Sequence, residues 1–261
     1  MHEYRKSTPL IDSHVHIDAD AFDSDRDAVL TRADNAGVAS MVVPATTAAR
    51  WPALAALCAA HTDLHAAFGL HPMFMSEHDT SHLTRLPQWL ADHQAVAVGE
   101  CGLDFFIDDP SPDQQRRYFM QQLQVARDMD LPVIIHARRS VEEVIHSVRR
   151  VKNLRGVVHS FAGSREQARQ LADLGFLIGI GGPVTHARAR RLRRTVADIP
   201  LDTLLLETDA PDQPGARHRG QRNEPAWLRD VLHCIAELRD ENEAVIAAAT
   251  TANARRLFRL P

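Results

Sequence analysis

The chain has 261 residues, 44% of them hydrophobic, with a formal charge of −4 and an isoelectric point near 6.4. That composition supplies the core of one large α/β domain over residues 1–261 and excludes a protein that coats nucleic acid through global charge. No apolar run approaches the roughly 20 residues of a membrane span and the opening Met1 to Leu10 is polar, so a cytoplasmic protein without membrane contact is expected.

Short apolar, β-branched runs alternate with longer helical patterns along the chain. In order they are LIDSHVH near residue 13, SMVVPAT near 43, HAAFGLHP near 68, AVAVGECGLD near 99, LPVIIHAR near 134, GVVHSF near 158, FLIGIGGP near 180 and LLLETDAP near 207. Successive runs lie roughly 30 residues apart, the length of a strand, a loop and a returning helix. Eight such units in a chain of this length close most economically into a TIM (β/α)8 barrel, a doubly wound sheet being the other possibility.

Between the runs, Ser24 is expected to cap a helix that ends at Gly37, and Ser111 with Pro112 opens another. Ser140 with Glu143 and Ser164 with Gln167 have capping-box spacing, and Gly156 and Gly175 fall where helix C-caps belong. Cys58, Cys101 and Cys234 are odd in number and widely spaced, which speaks for buried thiols rather than disulfides or a cysteine zinc site. After the eighth run come a polar excursion from Asp212 to Asn223 and helical patterns through Trp227, Val231 and Ile235 and from Val245 to Phe258, with no linker between them.

Active sites of TIM barrels sit at the carboxyl ends of the strands, and here those ends carry metal-ligand residue types. His14 and His16 follow the first run on alternate positions with Asp12, so all three are expected to face one way. His71, Glu100, His136, His159 and Asp209 follow other runs, whereas His61, His93, His146 and His233 fall in helical patterns. Four histidines and two carboxylates exceed the needs of one ion and point to a binuclear site. Glu100 is the natural bridge, with His14, His16 and Asp209 on one ion and His136 and His159 on the other. Lys6 and Lys152, the lysines of the chain, are not at strand ends, so a carbamylated-lysine bridge is not expected. Two ions about 4 Å apart lower the pKa of a shared water and clamp attacking and leaving oxygens, which is the chemistry of hydrolysis.

The motifs IDSHVH, GLHP, VGECGLDF, PVIIHARR, VVHSFAG, IGIGG, LLLETDAP and RNEP, in this order over nearly the whole chain, resemble those of the TatD family of metal-dependent deoxyribonucleases. Ile107 to Pro112 and TDAPDQP look closer to the family's metal-dependent hydrolase branch than to its nucleases. The resemblance implies the same ligand set: His14, His16, Glu100 and Asp209 on one metal, and Glu100, His136 and His159 on the other. It implies also that Asp209 takes a proton from the nucleophilic water and that His71 contacts a phosphate at the mouth.

Asp104 and Arg138 flank ligands and are expected to bind substrate, Arg138 as a bidentate phosphate contact. Glu207 and Asp12 are expected to orient ligands from behind. Arg188, Arg190 and Arg191, at the start of an arginine-rich run, would border the mouth, with Arg193 and Arg194 on a solvated face. The expected enzyme is a two-metal exonuclease, a monomer by default. It would use Zn2+, Mg2+ or Mn2+ and attack phosphodiesters at DNA ends or in short oligonucleotides with a metal-bound hydroxide. The same site would serve ester or amide hydrolysis, such as aminoacyl-tRNA deacylation, and a non-catalytic metal-binding barrel is the third possibility.

Overall fold

The computed structural model describes residues 8–107 and 111–261. Most of the polar opening Met1 to Leu10, with Lys6, and the middle of the Ile107 to Pro112 segment lie outside these residues. Eight strands pair in parallel in sequence order. They are β1 (Leu10–Asp12), β2 (Val38–Pro44), β3 (Leu64–Phe68), β4 (Ala97–Asp104), β5 (Val133–Arg138), β6 (Gly156–Val158), β7 (Phe176–Ile180) and β8 (Leu204–Leu206). The Ser13 N–H donates to Leu206 O and the Asp209 N–H to His14 O, each at 2.9 Å, so β8 returns to the side of β1 and the sheet closes as a TIM barrel.

The helices α1 (Arg26–Asn35), α2 (Trp51–Ala60), α3 (Thr80–Asp92), α4 (Pro112–Asp128), α5 (Val141–Arg150), α6 (Arg165–Asp173) and α7 (Arg190–Asp198) each connect one strand to the next. α8 (Leu228–Arg239) and α9 (Glu243–Phe258) follow β8. Strand alternation splits the apolar residues into two layers. Ile11, Val42, Ala67, Ala97, Ile134, Val157, Leu177 and Leu205, one from each strand, fill the barrel interior together with Ala254, Leu257 and Phe258 of α9. α9 plugs the amino-terminal end, where Thr251 donates to Pro9 O and Asn253 to Leu204 O. The opposite strand faces, among them Met41, Phe68, Ile135 and Ile178, pack against the helices in the larger core. A barrel floored in this way leaves only its carboxyl-terminal end open for chemistry.

Several local expectations hold. Gly37 and Gly175 adopt positive φ of 84° and 83° just past α1 and α6, and Ser164 with Gln167 forms a reciprocal capping box. Others are displaced by tertiary partners. Ser24 does not cap α1: the helix starts after Asp25, whose carboxylate is taken by Arg222 through two 2.8 Å bonds. Ser140 stands at the N-cap of α5, yet its hydroxyl donates to Leu103 O at 2.7 Å and Glu143 pairs with Arg116. Gly156 is no helix cap; it opens β6, where a Cβ would lie 2.4 Å from Val133 O. Lys152 follows α5, at the end of the barrel away from the open mouth.

Candidate active site

β1 ends at Asp12, two residues short of His14, and the expected common face is not a strand face. Asp12 is buried and takes the Thr208 N–H at 3.0 Å, the Thr208 hydroxyl at 2.5 Å and the His14 N–H at 3.2 Å. It therefore holds the backbone after β1 and β8 rather than an imidazole ring, and burial pushes its carboxyl up to about 7. The turn it fixes carries both imidazoles into the barrel mouth.

Glu100 stands on β4, 1% exposed, with its two oxygens divided between two groups of donors. Its Oε2 lies 3.2 Å from His14 Nε2 and 3.3 Å from His16 Nε2. Asp209 Oδ1 closes this set at 3.5 and 3.7 Å from the same two nitrogens, which are themselves 3.2 Å apart. The other oxygen, Oε1, lies 2.7 Å from His159 Nε2, 3.1 Å from His136 Nδ1 and 2.9 Å from His71 Nε2. Ligands bound tetrahedrally at about 2.0–2.1 Å stand about 3.4 Å apart, so both sets have the span of a divalent ion's coordination shell. Glu100 Oε2 and His14 Nδ1 have no hydrogen-bond partner among the described residues, and an unpaired buried carboxylate oxygen is costly unless a cation meets it.

The outer nitrogens show which lone pairs face the centre. His16 donates from Nδ1 to Pro44 O at 3.1 Å and His136 from Nε2 to Asp104 Oδ2 at 2.9 Å, so His16 Nε2 and His136 Nδ1 are the nitrogens turned toward the site and the ones an ion would take once deprotonated. His71 differs: its Nδ1 accepts the Met73 N–H at 3.1 Å, so its Nε2 carries the proton and donates to Glu100. Burial would raise Glu100, but the imidazoles of His71, His159 and His14 hold it well below the usual carboxylate range. Burial, with the charge of His159, lowers His14 to about 4 and keeps it neutral.

Asp104 corrects one expectation. It is fully buried at the end of β4, its Oδ1 accepts the Phe106 and Ile107 N–H groups at 2.9 and 3.2 Å, and its Oδ2 orients His136. It does not line the cavity at the barrel mouth. Glu207 is buried behind His159, with Oε1 3.8 Å from His159 Nδ1 and accepting the Ser160 N–H at 2.5 Å, and burial pushes it up to about 8. Gly179 makes room for it, since a Cβ there would lie 2.2 Å from Glu207 Oε2.

A residue the sequence reading passed over completes the arrangement. Gln213 receives the Ser160 hydroxyl at 2.9 Å on its Oε1 and donates from Nε2 to Asp209 Oδ2. This fixes the amide's orientation and leaves Oδ1 as the Asp209 oxygen that faces the imidazoles. Asp209 itself sits at φ 55°, a left-handed conformation uncommon outside glycine and one that a rigid surround must impose. The RNEP stretch supplies part of that surround. Asn223 donates to Thr208 O and Asp212 O at 2.8 Å, and Glu224 pairs with Arg32 of α1 at 2.6 Å.

The donors open into a cavity of about 1160 Å³ that also meets His71, Phe106, Arg138, Arg139 and Arg191. Arg191 reaches it from α7, donating to Ala162 O, whereas Arg188 is exposed in the preceding turn and does not line it. Arg193 is tied to Val184 O and Cys234 Sγ, a structural position rather than a solvated one.

The family model described as "TatD related DNase" matches residues 11–259. The chain belongs to the TatD family. It is 42% identical over 255 residues to the "uncharacterized metal-dependent hydrolase YjjV" of Escherichia coli, covering 97% of this chain and 98% of that one. It is 35% identical over 256 residues to the "3'-5' ssDNA/RNA exonuclease TatD" of Cronobacter sakazakii, covering 95% and 97%. The crystal structure of YjjV superposes with a TM-score of 0.93 at 41% identity, over 97% of this chain and 98% of that one. A TatD family hydrolase from Entamoeba histolytica, 19% identical, shares the fold with a TM-score of 0.84 over 96% and 98%. This member of the TatD family is thus an enzyme of the metal-dependent hydrolase class, acting on ester bonds, and its His, Glu and Asp clusters could hold metal. No helix among the described residues is long and apolar enough to cross a membrane.

Proposed function

We propose that this chain is a two-metal phosphodiesterase that removes nucleotides from the ends of single-stranded nucleic acid, with DNA as the first substrate to examine. The observation that carries the reading is the division of Glu100, Oε2 toward His14 and His16 and Oε1 toward His136 and His159, on the floor of a blind cavity. A barrel plugged by α9 admits a chain end rather than a through-going strand. Two of the relatives carry the name of a 3'-5' ssDNA/RNA exonuclease, which agrees with that shape.

His14, His16, Glu100 and Asp209 would hold one ion and Glu100, His136 and His159 the other, and the imidazole-rich donor set suits Zn2+ or a similar transition ion, with Mn2+ or Mg2+ as the alternatives. Ions held there supply Lewis acidity to a phosphate and make water more acidic. Asp209 accepts the proton of the attacking water on Oδ1, because Gln213 occupies Oδ2. Glu100 stays ionised throughout, and the His71 Nε2–H donates to it and borders the phosphate. Arg138, exposed at the mouth, offers its guanidinium edge to a phosphate oxygen.

The test is a substrate panel for the metal-loaded enzyme: single-stranded and duplex oligonucleotides, a simple carboxyl ester and an aminoacyl-tRNA. Preferential release of mononucleotides from the single strand is expected. Faster cleavage of the carboxyl ester or the aminoacyl bond would overturn the phosphodiester assignment while leaving the metal site intact.

A further inference from the structure

Among the described residues three large apolar side chains stand well exposed: Met73, Phe106 and Val245. Phe106 is 47% exposed, and it lines the same cavity as Glu100 and Asp209. Its ring is not bare. The Arg138 guanidinium carbon lies 3.7 Å from the ring centroid and that of Arg139 4.4 Å. Other arginines at the mouth are engaged: Arg50 pairs with Asp20 at 2.6 Å, and Arg191 donates to Ala162 O. No hydrogen bond or ion pair of the Arg138 or Arg139 guanidinium is formed among the described residues, apart from their contact with this ring.

Phe106 is also joined stiffly to the ligand cluster. Its N–H is held at 2.9 Å by Asp104 Oδ1, and the other oxygen of that carboxylate holds His136. Arg138 lies two residues beyond His136 on β5, about 7 Å along the strand. That is close to the reach from a phosphate to its own nucleobase. A flat apolar surface with two guanidinium groups against it, one nucleotide away from a candidate phosphate site, has the chemistry of a base-stacking platform.

We infer that Phe106, with Arg138 and Arg139 against its ring, stacks the nucleobase adjoining the phosphodiester to be cut. The inference rests on the phosphodiesterase reading and adds to it a reason for single strands: a base can lie on the ring only when it is not paired. It also gives a binding role to Phe106 and Arg139, which lie outside the ligand set, and a second one to Arg138.

The experiment compares oligodeoxynucleotides carrying a normal, an abasic or a 2-aminopurine residue at the 3' or 5' end, with the metal-loaded parent enzyme, Phe106→Ala and Phe106→Trp. Base–aromatic stacking is worth about 5- to 150-fold in an equilibrium constant. The parent is expected to show a KM about tenfold or more lower for the normal strand than for the abasic one, at one end only. Phe106→Ala should bring the two KM values together by weakening the normal strand, and Phe106→Trp should restore the difference. 2-Aminopurine fluorescence should be quenched on binding to the parent and to Phe106→Trp, and not to Phe106→Ala.

Quenching with that dependence but no cleavage leaves the platform standing and removes the phosphodiesterase reading. Cleavage with equal KM for normal and abasic strands, or an equal loss on both in Phe106→Ala, overturns the platform and leaves the phosphodiesterase. Neither binding nor cleavage overturns both.

Discussion

Replacing Asp104 by asparagine separates the orienting role found here from a substrate contact. The amide retains Oδ1 for the Phe106 and Ile107 N–H groups and puts an NH2 where Oδ2 now accepts from His136 Nε2 at 2.9 Å. An amide nitrogen cannot accept, so the His136 proton moves to Nδ1, the atom that faces Glu100 Oε1 at 3.1 Å. The lone pair offered to an ion is then lost. A hydrogen bond to a charged group contributes about 1.5–3 kcal/mol, equivalent to about 10- to 150-fold in binding. Outer partners of metal-binding imidazoles generally account for about 10- to 100-fold, so two routes reach the same range. Asp104→Asn should therefore weaken metal binding by about 10- to 100-fold at one of two sites, read by competition with a chromophoric chelator. The urea midpoint of the metal-free protein should move little, because the backbone bonds survive. An affinity within twofold of the parent would refute the reasoning.

Metal binding should release protons. Burial opposes it, but Glu100 and Asp209 raise His16 to about 9, and Glu100 foremost raises His159 to about 10. Both lie above the ordinary 6.5, so both rings are protonated at pH 7 and must lose a proton when an ion takes Nε2. Apparent affinity should rise from pH 6 to 9 by up to about tenfold per pH unit for each proton displaced. Calorimetry in two buffers counts the protons, and a pH-independent affinity would contradict the assignment. Gly179→Ala should place a methyl 2.2 Å from Glu207 Oε2 and 3.0 Å from His159 Cα, costing about 1–3 kcal/mol in urea unfolding and weakening metal binding; an unchanged midpoint would show that Glu207 moves freely. Burial pushes the Cys58 thiol up to about 12 and Cys101 further, so iodoacetamide at pH 8 should label the folded chain at least about 100-fold more slowly than the unfolded one. Rapid labelling of the native protein would show those thiols to be accessible.

The strands were legible because a parallel sheet covered on both faces needs apolar runs on every strand, and all eight runs coincide with β1 to β8. The convergence of His14, His16, Glu100, His136, His159 and Asp209 was legible for a related reason: the carboxyl ends of the runs are brought together by the barrel, whatever the helices do. Residues acting across the fold were not. Gln213 lies in a polar excursion without periodicity, and its role depends on Ser160, 53 residues earlier. Asp104 read only as a residue flanking a ligand, because its partner His136 lies on the next strand. Gly102, at φ 145° with His136 O only 2.1 Å from where a Cβ would lie, lets β4 continue beside β5 as far as Asp104. Ser140 and Ser24 have capping chemistry on paper, but Leu103 O takes the Ser140 hydroxyl and α1 begins one residue later than Ser24 predicts. Local propensity yielded where a tertiary partner was available.

The most direct measurement follows a 5'-labelled single-stranded oligodeoxynucleotide incubated with the metal-loaded enzyme and, in parallel, with Asp209→Asn. The account predicts mononucleotides released in succession from one end, and a rate at least about 100-fold lower in the variant, which keeps the shape of Asp209 but cannot take up the proton of the attacking water. Intact oligonucleotide with both proteins, or degradation at the same rate with both, would contradict it.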